Sequence, residues 1–207
     1  QITLCNNESL RIFRKYNWSY NNNFVRKIKF FNFHKILPVL RKNTQFSISS
    51  DSLGKLKLEE QNNKTIENIV LIEQKNLAKK IVGIIRDENW FKWRILECPY
   101  KKNIFIFSFE NNYYIANIKN KNNFKILNLI YSTIPVNEEI LKLFNPFIKR
   151  NKIDYLSYIS KEKILNLNLP WKKKINFAFF SNEKFITDKI KNHLDDIQYI
   201  DSDLDYL

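Results

Sequence analysis

Residues 103–132 read NIFIFSFENNYYIANIKNKNNFKILNLIYS. Three runs rich in Ile, Phe and Tyr (103–110, 113–119 and 124–132) are separated only by short Asn-rich pieces. Gaps this short admit hairpins and exclude crossover helices, so the runs predict an antiparallel meander. Upstream, NIVLIE (68–73), KIVGIIR (80–86) and FKWRILEC (91–98) carry similar residues between turn-like DEN and PYKK, and they extend the expected meander. ITLC (2–5) and INFAFF (175–180) add short strands. Helices are expected around the sheet. NFHKILPVLRKN (32–43) is broken or bent by Pro38. NEEILKLFNPFIKRN (137–151) has Asn137 to cap it, Glu138 and Glu139 for its positive end, and Pro146 to end or kink it. A last helix begins near Ser181, where Ile186, Ile190, Leu194 and Ile197 recur every three or four residues. No repeat or Gly/Ser/Pro linker divides the chain. The expected class is α+β, an antiparallel β meander with flanking helices, in a single domain over residues 1–207.

Charge narrows the partners. The 207 residues carry 35 Lys and Arg against 21 Asp and Glu, a net +14. From residue 188 onward two lysines face six aspartates, so the first 187 residues hold +18 and the end −4. A folded body this basic attracts polyanions, RNA above all. Part of the Lys and Asn excess reflects AT-rich coding, as two glycines and no methionine suggest. No apolar run reaches the ~18 residues of a membrane span. The isolated Gly54 and Gly83 cannot build a phosphate-cradling glycine loop, and GxSxG and HExxH are absent. Cys5 and Cys98 lack zinc spacing and are too few for a disulfide framework, though a single bridge stays open. Asp195, Asp196, Asp201, Asp203 and Asp205 read as a solvated acidic end. No metal and no cofactor is expected. The start at Gln1, without Met, suits a processed chain or a fragment.

Two stretches interleave aromatic and basic residues, as a surface for unpaired RNA requires. In NWFKWRILECPYKK these are Trp90, Lys92, Trp93, Arg94, Lys101 and Lys102; in PWKKKINF they are Trp171, Lys172, Lys173 and Lys174. Strict strand alternation would instead turn Phe91, Trp93 and Ile95 to one face, where they serve a core. RNA cleavage needs little machinery, because the 2′-hydroxyl is the nucleophile. A base takes its proton, an acid protonates the leaving 5′-oxygen and a cation steadies the phosphate. Of the two histidines, His34 reads as structural, while His193 borders an apolar helix face beside Asp195 and Asp196. Glu8 falls in an Asn-rich turn after the first strand, and Arg150 follows the Pro-broken helix.

In this order, Glu8 near the start, Arg150 in the later middle and His193 near the end, the chain resembles the ribonuclease subunits of killer toxins encoded on linear plasmids of yeasts, the group of the zymocin gamma subunit. The resemblance extends to size, basic charge and Lys/Asn/Ile bias. It implies a secreted toxin that enters a target cell's cytoplasm and cuts a tRNA anticodon loop without a metal. Glu8 would be the base, His193 the acid and Arg150 the phosphate-stabilising cation. The implied partners are a carrier subunit or an immunity protein. That family joins its carrier through a cysteine near the C-terminus, whereas the cysteines here are Cys5 and Cys98. Two other classes fit the composition. One is a non-catalytic ribosomal or organellar RNA-binding protein. The other is a secreted protein that meets an acidic partner, which glycosylation at Asn7, Asn17 and Asn63 would favour.

Overall fold

A computed structural model describes residues 2–5, 7–31, 54–80, 83–99, 101–121, 124–160, 173–179, 183–193 and 198. Their strands are β1 (Ile2–Cys5), β2 (Ser19–Phe30), β3 (Lys57–Glu59), β4 (Ile104–Phe109), β5 (Asn112–Lys121), β6 (Phe124–Ser132), β7 (Tyr155–Ser160) and β8 (Lys173–Phe179). Their helices are α1 (Asn7–Lys15), α2 (Asn63–Leu77), α3 (Glu88–Phe91), α4 (Glu138–Leu143), α5 (Asn145–Arg150) and α6 (Lys184–His193). The strands form one sheet in the order β1-β8-β2-β7-β6-β5-β4-β3. The fold is α+β, as the sequence predicts.

The hairpin of β4 and β5 turns through two residues, with Phe109 paired to Asn112. Glu110 and Asn111 both have positive φ, 47° and 61°. That backbone follows the right-handed strand twist and brings the strands straight back. The sheet is not wholly antiparallel. β6 runs parallel to β7 from Ile126–Tyr155 to Asn128–Ser157, because α4 and α5 carry the chain across between them. Asn137 caps α4 by accepting from Ile140 N at 2.9 Å. Pro146 sits in the first turn of α5, where its missing N–H costs nothing, so the proline separates two short helices.

Three expected strands are otherwise. Residues 68–73 lie inside α2, and 91–98 form α3 plus a π-helical turn, Lys92–Leu96. Residues 83–86 are irregular. The period explains α2: Ile66, Ile69, Val70 and Glu73 are buried on one face, and Asn62 caps the helix by accepting from Thr65 N. Phe91 and Ile95, four apart, are both buried, and Asp87 accepts from Trp90 N at 2.7 Å. The helix expected over 32–43 lies outside the described residues. The last helix is described from Lys184, and its Ile186 is exposed instead of core-facing. Cys98 forms no disulfide, so no bridge joins it to Cys5.

The sheet carries a core on each face. On one, Phe144 and Phe147 of the α4–α5 region meet Phe107, with Leu127, Leu129 and Leu156 beside them. On the other, α2 and α3 cover Ile104, Ile106, Ile115, Ile130 and Tyr131. This second core holds a buried ion pair. Arg86 Nη1 meets Glu73 Oε1 at 2.5 Å, and the Tyr131 hydroxyl donates to Glu73 Oε2 at 2.7 Å. At the end of β6 the Gln198 side chain accepts from Ser132 N at 2.6 Å and donates to Ser132 O at 3.0 Å. It takes the place of a neighbouring strand where β7 no longer pairs. No helix among the described residues is long and apolar enough to cross a membrane.

Candidate nucleic-acid interface

The helical path of residues 88–98 decides which side chains face outward. With Phe91 and Ile95 inward, Trp93 is 53% exposed. The Arg94 guanidinium lies 4.4 Å from the Trp93 ring centroid and 5.7 Å from that of Trp90. One face of the Trp93 indole thus rests on a cation, which is electrostatically favourable. A flat exposed ring backed by a cation is suited to stack an unpaired base. The expectation that Trp93 shares a face with Phe91 and Ile95 is corrected, because it assumed a strand. Lys92 pairs with Glu88 one turn back at 2.5 Å, and this hydrogen bond raises its pKa. Lys92 thus stays charged, and Glu88 competes with a phosphate for it. Lys101 and Lys102 lie exposed on a short 3₁₀ turn. With Leu96 and Gln61–Asn63 they line an open cleft of ≈ 520 Å³. Lys173 and Lys174 belong to β8; Trp171 and Lys172 lie outside the described residues.

The three residues expected to cleave RNA lie on three different helices. Glu8 is the second residue of α1, not part of a turn. His193 is the last described residue of α6. Both α1 and α6 pack against β2. Arg150 is exposed at the end of α5, whose Phe147 and Ile148 belong to the other core. The fold therefore brings the helices of Glu8 and His193 to one strand and gives Arg150 a different support.

Strand register assembles a further group of residues that the sequence reading missed. Arg26, Ser157, Asn128 and Asn117 belong to the four neighbouring strands β2, β7, β6 and β5 on the face that α2 and α3 partly cover. Arg26 Nε donates to Ser157 Oγ at 2.9 Å, and Asn128 Nδ2 donates to Asn117 Oδ1 at 2.9 Å. Lys119 and Lys121 continue β5 on the same face. Burial first, then the charges of Lys121 and Arg26, push the Lys119 ammonium down to about 8. Alternate positions of VRKIKF hold this signal (Arg26 out of line with apolar Ile28), but only the pairing shows what Arg26 faces.

The folded state depresses the Lys119 pKa from 10.5 to about 8, so between these values the unfolded chain binds more protons and stability rises with pH. Wild-type stability should therefore gain on that of Lys119→Met between pH 8 and 10, measured by urea unfolding. A constant difference would contradict it.

Among the described residues no group of three His, Cys, Asp or Glu side chains is placed to hold a metal ion. No known protein family and no curated protein matches the chain. Among solved structures the chain is similar to the crystal structure of Eis1 from Mycobacterium abscessus, at 11% identity and a TM-score of 0.41. The match covers 75% of this chain and 38% of that one. At this TM-score the likeness carries no functional argument.

Proposed function

We propose that the protein binds RNA in unpaired form, stacking a base on Trp93 and holding phosphates with its basic surface. The observation that carries this reading is the half-exposed indole of Trp93 backed at 4.4 Å by Arg94. The net +14 supplies the long-range attraction. Trp93→Ala should weaken binding of a single-stranded oligonucleotide by about 1–3 kcal/mol, the contribution of one stacked base. Trp93→Phe should retain most of it. Lys92→Ala should change little, since Glu88 already holds that ammonium. Affinity should fall steeply as salt rises. Fluorescence anisotropy at several salt concentrations reads all four. Equal affinity of wild type and Trp93→Ala would remove this residue from the interface, and salt-independent binding would remove RNA as the ligand.

A second reading adds cleavage: a metal-independent endoribonuclease toxin acting on a tRNA anticodon loop. It is favoured by the placement of Glu8 and His193 on two helices that lean on β2. Glu8 would be the base and His193 the acid. Arg150 would reach the phosphate from α5. Secretion, a carrier and an immunity protein belong to this reading alone. RNA binding without cleavage would instead favour the ribosomal or organellar class.

A further inference from the structure

The end of α1 is closed in a way that fixes its outer side. Asn17 has positive φ, 59°, the left-handed conformation that asparagine tolerates better than most residues. Trp18 N donates to Phe13 O and Asn17 N to Arg14 O, the paired bonds that satisfy the last carbonyls of a helix. The Phe13 and Trp18 rings meet at 4.6 Å between centroids, and both are half-buried. Arg11, Ile12, Arg14, Lys15 and Tyr16 are left exposed, and the chain returns in β2 with Tyr20 exposed as well. The Arg14 guanidinium lies 4.2 Å from the Tyr20 ring centroid.

This surface is apolar and cationic at once. Ile12 is 56% exposed and Tyr16, four residues on, 70%. Arg11, Arg14 and Lys15 share the exposed side with them, and none pairs with a carboxylate among the described residues. The one acidic residue of α1, Glu8, is at its other end. Such a surface fits an occupant that is both apolar and anionic. At nine residues α1 is about 14 Å long and about 10 Å wide, so its outer side offers about 140 Å², far below the ~800 Å² of a stable protein partner. RNA would meet the cations, but Ile12 presents it neither a π-face nor a hydrogen bond. A phospholipid surface has no minimum area. Its headgroups take the cations, and its hydrocarbon boundary takes Ile12 and the tyrosine rings, whose hydroxyls stay at headgroup level. A free nine-residue peptide would first have to fold, whereas α1 is already held by β1, β2 and β8.

We propose that the outer side of α1, together with Tyr20, docks the protein on an anionic phospholipid surface. Arg11, Arg14 and Lys15 meet the headgroups, and Ile12 and Tyr16 enter the interface. This docking goes beyond RNA binding at Trp93 and does not depend on it.

The test measures co-sedimentation of the whole chain with vesicles of phosphatidylcholine, either pure or with about a third phosphatidylserine. Binding should require phosphatidylserine and fall as salt rises. Arg11→Gln and Lys15→Gln should each weaken it about fivefold, the contribution of one cation at such a surface. Lys64→Gln, an equal loss of charge on α2, should change it little. Ile12→Ser, which keeps every charge, should weaken it at least about fivefold. Trp93→Ala should leave it unchanged. Melting temperatures report that each variant is folded. No binding to either vesicle would overturn the proposal. So would equal binding to both, equal losses in Arg11→Gln and Lys64→Gln, or full binding by Ile12→Ser, any of which would leave no specific role for this surface. Loss in Trp93→Ala would overturn its separateness. The same variants are titrated with the single-stranded oligonucleotide. If Ile12→Ser and Arg11→Gln lose the oligonucleotide and keep the vesicles, the surface belongs to RNA and the proposal fails. Vesicle binding that needs Ile12 and Arg11 in a protein that binds no oligonucleotide would still support docking, and only the RNA reading would fall.

Discussion

Arg86→Met is expected to lower the unfolding free energy by about 3–5 kcal/mol, the cost of leaving a buried charge without its partner. Glu73 and Arg86 are only 3% and 2% exposed, so water cannot replace the lost guanidinium. The Tyr131 hydroxyl would remain on Glu73 Oε2, and one hydroxyl does not offset a buried carboxylate. Tyr131→Phe should cost less, about 1.5–3 kcal/mol, as a hydrogen bond to a charged acceptor does. The informative variant is double. Glu73→Leu with Arg86→Met fills the same space with apolar groups and removes both desolvation penalties. It should be more stable than either single variant. Urea unfolding of wild type, both singles and the double gives the coupling directly. Additive losses would mean that the two side chains act independently, despite their 2.5 Å contact.

His193→Ala is expected to reduce RNA cleavage by about 10²–10⁴, the contribution of a positioned general acid. Glu8→Ala should be comparably severe, and the double variant little worse than either, because acid and base act as a unit. Cleavage should persist in excess chelator, and the products should carry 2′,3′-cyclic phosphate and 5′-hydroxyl ends. Both residues lie on helices that pack against β2, so the two variants test groups on one side of the fold's support. A folded His193→Ala protein that cleaves at the wild-type rate would end the catalytic reading, while leaving RNA binding at Trp93 in place. Melting temperature measured on the same samples separates lost chemistry from lost folding.

The meander over 103–132 was legible because its alternation and its two-residue turn are local features. So was α4, from Asn137 and two glutamates. Residues 68–73 misled because an apolar run that short fits either period. Asn62 and Ile66, just upstream, carry the helical evidence. Residues 91–98 misled in the same way, and the correction moved Trp93 from a supposed strand face to the surface. β2 and β7 escaped notice because NNNFVRKIKF and YLSYIS mix polar and apolar residues at positions that only their neighbours explain. The cationic face escaped for the same reason. Arg26 and Lys119 are far apart in sequence, and only the strand order sets them on one face of the sheet.

The order of the sheet also bears on how the chain folds as it leaves the ribosome. β3 through β6 lie within residues 57–132 and pair with near neighbours in sequence, whereas β1 and β2 must wait for β8 and β7. The β3–β6 part can form early and quickly, whereas β1 (Ile2–Cys5) finds its partner only once β8 (Lys173–Phe179), about 170 residues later, has been made. Until then β6 is the growing domain's edge, with open backbone groups that another nascent chain could pair with. Its parallel contact to β7 covers only Ile126 to Asn128. The amide of Gln198 closes Ser132 at the far end of that strand, one of the last described parts of the chain to be synthesised. The interval between completion of β6 and arrival of Gln198 is therefore the protein's period of greatest exposure to aggregation, and chaperone dependence should be concentrated there.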